Sequence, residues 1–191
     1  MIRWTKWAFK LGLTPNQISG SGLLLAFLSG FSFFFSGKQA RNTNLLIVAP
    51  FLLLASGFCD LLDGSLAREY GKPSSLGGFL DSLLDRYSDV AIFAGIILGG
   101  LCDLFWGLVV LTGSLLVSYT RSRAEGLGVN MVSVGIAERA ERLIVLATVS
   151  FLDLIWSGIL NLGIILLAFL TTFTILQRVN YFVKNRIEIK E

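Results

Sequence analysis

The sequence predicts an all-α integral membrane protein, with six transmembrane helices behind an N-terminal amphipathic interfacial helix. Three observations carry that prediction. The 191 residues are 54% hydrophobic and only 15% charged, where a soluble domain would carry about a quarter charged residues. Long runs hold no charge at all: Leu11 to Gly37, Asn42 to Cys59, Val90 to Cys102 and Leu154 to Gln177. Of the 16 lysines and arginines, all but Lys38 and Arg41 fall on the same side of a six-span topology as the two termini. Cations accumulate on the cytoplasmic side of a membrane. The protein is therefore expected in the cell (cytoplasmic) membrane as a multi-pass protein with both termini in the cytoplasm.

Each element has its own warrant. In residues 1–13, Trp4, Trp7, Ala8 and Leu11 recur at three- to four-residue spacing with Arg3, Lys6 and Lys10 between them. That pattern predicts a juxtamembrane helix lying in the headgroup region, tryptophans at the boundary and cations toward phosphates. Leu13-Thr14-Pro15-Asn16 is a turn, with Thr14 as N-cap and Pro15 at the first helical position. The first span then runs to about Gly37, enough to cross about 30 Å of hydrocarbon. Spans two to four are expected over about Leu45–Arg68, Gly77–Gly100 and Leu104–Arg123, with loops at Gly71–Ser75 and Gly126–Asn130. The fifth, about Ile136–Leu152, starts under a load of charge from Glu138, Arg139, Glu141 and Arg142; the sixth covers about Ile155–Val183. The bundle over 14–183 and the preceding helix are read as one domain, 1–191.

The stretch from Asp60 to Asp89 breaks the pattern, because Asp60, Asp63, Asp81, Asp85 and Asp89 fall at the inner ends of spans two and three. An ionised carboxylate deep in a membrane helix costs roughly 2.5–3.5 kcal/mol, so four or five cost on the order of 10 kcal/mol. A marginally stable protein carries that only with compensation from water or bound cations. Asp60 and Asp63 share one helix face, as do Asp81 and Asp85. Two such pairs facing each other can enclose one or two small divalent cations, and all-oxygen ligation suits Mg²⁺ or Mn²⁺. With no histidine in the chain, a general base is a carboxylate before it is Lys or Tyr. Gly64, Ala67, Gly77 and Gly78 keep the space open, and Arg68 can reach a phosphate. Pairing with Arg68 and Arg86 or helix capping is the bland alternative, but two arginines do not neutralise five aspartates. Asp89, one turn further on, fits a supporting role behind the ligands, or pairing with Arg86, better than a ligand role.

The spacing D-x-x-D-G-x-x-A-R-x8-G-x3-D-x3-D, met at Asp60, Asp63, Gly64, Ala67, Arg68, Gly77, Asp81 and Asp85, resembles that of the CDP-alcohol phosphotransferases. With the six spans and the Thr14-Pro15-Asn16 turn, the resemblance covers nearly the whole chain. It implies a homodimer that moves a lipid-phosphate group from a CDP-linked donor (CDP-diacylglycerol or CDP-archaeol) to an alcohol, releasing CMP. It also implies Asp60, Asp63, Asp81 and Asp85 as metal ligands, with Asp85 as base on the acceptor hydroxyl. Asn16, Asp60, Asp63, Gly64, Ala67, Arg68, Gly77 and Asp81 are implied at the CDP-lipid site. No nucleic acid partner is expected.

The acceptor is read from a second stretch, Ser118-Tyr119-Thr120-Arg121-Ser122-Arg123-Ala124-Glu125-Gly126, with Ile136-Ala137-Glu138-Arg139-Ala140-Glu141-Arg142. Arginines collect at inner helix ends for topological reasons alone. Yet Arg121, Arg139 and Arg178 leave the surface of spans four to six net basic, which suits an acceptor that already carries phosphate. The pattern resembles the branch of the family that uses inositol 1-phosphate, except that Arg121 stands where lysine is commoner. By that resemblance Ser118, Arg121, Arg139 and Arg178 hold the acceptor phosphate. Glycerol 3-phosphate explains an arginine pocket equally well and stays open. An ion-binding transporter is the rival from another class, but neither inverted repeats nor Gly/Pro-broken helices at matching positions are visible.

Overall fold

In the computed structural model, residues 4–5, 12, 14–38, 42–70 and 75–185 are described. Regular structure among the described residues is helical throughout: α1 (Pro15–Lys38), α2 (Thr43–Tyr70), α3 (Ser75–Gly99), α4 (Leu104–Glu125), α5 (Arg139–Leu152) and α6 (Ile159–Asn185). Four of these, Pro15–Lys38, Thr43–Glu69, Leu104–Glu125 and Ile159–Asn185, are long and apolar enough to cross a membrane. The protein is an all-α membrane protein. Helix α3 is long enough, but Asp81, Asp85, Arg86 and Asp89 load it with charge. Helix α5 has 14 residues, about 21 Å at about 1.5 Å per residue, short of an about 30 Å core.

The predicted interfacial helix lies almost entirely outside the described residues. Trp4 and Thr5 are helical; the Trp4 ring meets Phe58 edge-on at 5.9 Å. Thr5 Oγ1 donates to Glu69 Oε2 at 2.7 Å.

The chain forms two compact units, Met1–Gly99 and Gly100–Glu191. In the first, α1 packs against both α2 and α3. Its start is fixed by a reciprocal cap: Gln17 N–H donates to Thr14 Oγ1 at 3.3 Å and Thr14 N–H to Gln17 Oε1 at 3.0 Å, the capping-box arrangement. Ala26, Phe33, Leu46, Ala49, Leu53, Ile92 and Ile96 fill the core of this unit. Without a hydrophobic drive between helices in lipid, close approach and polar bridges must hold them together. Both are present. Ser29 Oγ donates to the Ala49 carbonyl and Ser56 Oγ to the Gly22 carbonyl, each at 2.8 Å. Between α1 and α3 a Cβ on Gly95 would collide with the Gly30 carbonyl, and one on Gly37 with the Gly99 carbonyl. Outward, Leu24, Phe27, Phe31, Phe51 and Leu54 are exposed, as lipid-facing residues should be.

In the second unit α6 packs against α4 and α5, burying Val110, Val117, Leu146, Leu160, Ile164 and Leu167. Asp103 caps α4, accepting from the Phe105 and Trp106 N–H groups. Two predicted helix starts move, for visible reasons. The sixth begins at Ile159 rather than Ile155 because Asp153 Oδ1 accepts from Gly158 N–H (2.8 Å) and Leu160 N–H (3.0 Å). The fifth begins at Arg139 rather than Ile136. Before it, Ser133 and Gly135 take positive φ, 59° and 116°, a conformation L side chains rarely adopt.

Gly95→Ala should destabilise the protein by about 1–3 kcal/mol, read as a lower midpoint of thermal unfolding in detergent. Gly20→Ala, with nothing within 4 Å of the added carbon, should not lower it.

Candidate metal and anion sites

The first unit gathers the aspartates. Helix α2 presents Asp60 and Asp63 one turn apart, and α3 presents Asp81. One carboxylate oxygen from each of these three lies within 4.8 Å of the others. Around a small cation bound at about 2.1 Å, octahedral ligand oxygens stand about 3.0 Å apart along edges and about 4.2 Å across. A small carboxylate rotation closes the difference, so hard, all-oxygen ligation fits this donor set. Asp63 is buried, and it accepts a short hydrogen bond from Ser19 Oγ on α1.

The other residues expected here lie on the same three helices. Asp85 lies one turn beyond Asp81 on α3, outside the group of three. Arg86 Nη1 stands 3.9 Å from its Oδ2 and also donates to the Ser82 carbonyl. Asp89, a turn further, is buried. Arg68 is exposed near the end of α2, with Nη2 donating to Ser65 Oγ at 3.4 Å. A Cβ on Gly64 would lie 3.5 Å from Arg68 Nη1, so this glycine leaves room beside the guanidinium. Ala67 and Gly77 are half-buried, and Asn16 is exposed on the first turn of α1. Ser19 was missed by sequence reasoning. Its only signal was position, three residues after Asn16 on the same helix face.

The second unit holds the arginines. Arg178 is 2% exposed, and a buried guanidinium must be hydrogen-bonded. It is. Nε donates to the Val134 carbonyl at 2.8 Å, Nη1 donates to the Val117 carbonyl, and Nη2 reaches Glu138 Oε1 at 3.4 Å. Neighbours on the same face of α6 do related work. Thr174 Oγ1 accepts from Ala137 N–H (3.1 Å) and Gln177 Oε1 from Ile136 N–H (3.2 Å). Arg142, also buried, donates to the Ala137 carbonyl at 3.0 Å. The segment leading into α5 is thus held from α6 by side chains at i, i+3 and i+4. A phosphate approaching the Arg178 Nη2 edge would meet Glu138 there.

Arg121, half-exposed on α4, is paired with Glu125 at 3.0 Å. Ser118, one turn before it, and Arg139, at the first turn of α5, are half-buried. The roles of Glu138, Thr174 and Gln177 were not legible in advance.

The family model for CDP-alcohol phosphatidyltransferases matches residues 12–178. Archaetidylinositol phosphate synthase of Pyrococcus horikoshii is 41% identical over 181 residues, covering 94% of this chain and 88% of the relative. The synthase of the same description from Methanothermobacter thermautotrophicus is 46% identical over 155 residues, covering 81% and 79%. Among solved structures, Mycobacterium tuberculosis phosphatidylinositol phosphate synthase with CDP-DAG bound aligns with TM-score 0.79 at 28% identity, over 94% of this chain and 92% of that one. The same protein in complex with manganese and citrate also gives 0.79, over 94% and 87%.

Loss of Arg178 should open the segment it holds. Arg178→Met leaves the Val117 and Val134 carbonyls without their partner, a change that costs about 1–3 kcal/mol for each group left unsatisfied. Limited proteolysis in detergent should then cut between residues 126 and 138 faster than in the parent protein.

Proposed function

The chain belongs to the CDP-alcohol phosphatidyltransferase family, and from that premise we propose that it transfers a lipid-phosphate group from a CDP-lipid to inositol 1-phosphate, releasing CMP. The observation that carries this reading is the triad Asp60, Asp63 and Asp81, whose oxygens converge within 4.8 Å in a chain 41–46% identical to archaetidylinositol phosphate synthases. Its donor is CDP-archaeol or CDP-diacylglycerol. In the proposed setting all six helices cross or line the cell membrane behind the interfacial helix. The termini and the aspartates face the cytoplasm, and two copies assemble as a homodimer. Residues 1–191 act as one catalytic domain.

Asp60, Asp63, Asp81 and Asp85 would hold Mg²⁺ or Mn²⁺, which when bound neutralises and polarises the donor's pyrophosphate oxygens. Asn16, Gly64, Ala67, Arg68 and Gly77 border the CDP group, the glycines by leaving room and Arg68 by pairing with phosphate. Asp85, outside the close group of three, accepts the proton of the acceptor hydroxyl. That oxygen then forms a bond to the phosphorus bearing the lipid, the phosphorus–oxygen bond to CMP breaks, and CMP leaves with the electron pair. Ser118, Arg121, Arg139 and Arg178 hold the acceptor's own phosphate, Arg178 by exchange for Glu138. Glycerol 3-phosphate remains the second acceptor to be tried, since it presents the same phosphate.

Purified protein supplied with CDP-lipid, Mn²⁺ or Mg²⁺ and each acceptor in turn should release CMP with inositol 1-phosphate. Release with glycerol 3-phosphate alone would overturn the choice of acceptor. Asp85→Asn should abolish release while CDP-lipid binding persists; full release by that variant would remove Asp85 from the role of base. Arg139→Ala removes a charge-assisted hydrogen bond of about 1.5–3 kcal/mol. It should raise the acceptor's KM about tenfold or more with little change in that of the donor.

A further inference from the structure

We propose that Ser19 is a positioning residue for the metal centre, holding the Asp63 carboxylate in the orientation the aspartate cluster needs. The inference rests on reading Asp60, Asp63 and Asp81 as metal ligands. Asp63 is the most enclosed of the three, 5% exposed, and its Oδ2 receives the Ser19 hydroxyl from a different helix, 44 residues away in sequence.

Ser19 Oγ also stands 3.0 Å from the Pro15 carbonyl, but it has one proton to give. Between a neutral carbonyl and an ionised carboxylate, the charged acceptor makes the stronger bond. The hydroxyl is then donated to the carboxylate, and its place one turn into α1 follows from the helix backbone. Placement of α1 is itself rigid. The Thr14–Gln17 cap sets its first residue, and glycine contacts press it against α3. Ser19 therefore ties the Asp63 carboxylate of α2 to the helix against which both α2 and α3 pack. Three carboxylates that close repel one another, and each is free to swing away about its own side-chain torsions. A donor that holds one oxygen of Asp63 opposes that swing. Outer partners of ligating carboxylates typically change metal affinity or activity 10–100-fold when removed.

The test is a titration of the detergent-solubilised full chain with Mn²⁺, followed by the electron paramagnetic resonance signal of the free ion. Thermal unfolding of the metal-free protein is measured alongside. Ser19→Ala should raise the half-saturating Mn²⁺ concentration about tenfold or more while the metal-free protein still unfolds in one cooperative transition. Ser19→Thr, which keeps the hydroxyl, should restore binding. Parent-like Mn²⁺ binding by Ser19→Ala would overturn the proposal, as would equal weakening in the alanine and threonine variants. Asp63→Asn separates the two readings. If it titrates like the parent, the cluster is not the metal centre and the role of Ser19 falls with it. If it loses binding while Ser19→Ala does not, only the role of Ser19 fails.

Discussion

Repulsion among carboxylates is the constraint on which the first unit depends. Asp60, Asp63 and Asp81 bring oxygens within 4.8 Å of one another. Two unit charges at that distance repel by about 3 kcal/mol at an effective dielectric constant of about 20. Left alone, the side chains would separate or the helices would spread. Helix α1 opposes the spreading, through buried serine bridges to α2 and backbone-to-backbone glycine contacts with α3. In the proposed role, a divalent ion would turn the same crowding into affinity, because it would neutralise the charge that drives the carboxylates apart. This explains why so much of the polar and glycine-mediated contact in the unit lies on α1, which contributes no aspartate itself.

The second unit solves the opposite problem, a buried positive charge. Arg178 would be costly at 2% exposure without partners, and it finds them in two backbone carbonyls and Glu138. Those partners make it a structural brace for the segment before α5 as well as a candidate ligand for phosphate. The glutamates beside Arg121 and Arg178 occupy the guanidinium edges a phosphate would take. In the proposed role, an anionic acceptor would compete with a carboxylate already present, and the net cost of that exchange would enter its affinity.

Much of this was legible in the sequence because it depends on local spacing. The Asp60-to-Asp85 pattern, the Thr14–Pro15 helix start and the uncharged runs are each read along a continuous stretch of chain, and α1 to α4 stand where those signals put them. What stayed hidden depends on pairs distant in the chain. Nothing near Ser19 announces Asp63, and nothing near Arg178 announces the Val117 and Val134 carbonyls. The starts of α5 and α6 were misplaced for a related reason. Thr174, Gln177 and Asp153 take up backbone N–H groups that a periodicity argument assigns to the helices. Asp85 shows the limit of motif spacing: it matches the pattern, yet only three of the four carboxylates fall in one tight group.

Crystals of the full chain soaked in Mn²⁺, with data collected at the manganese absorption edge, test the central claim most directly. An anomalous peak between Asp60, Asp63 and Asp81, at about 2.0–2.4 Å from an oxygen of each, is the expected result. Strong peaks elsewhere on the molecule with none among these three aspartates, in protein that releases CMP in the presence of Mn²⁺, would contradict it.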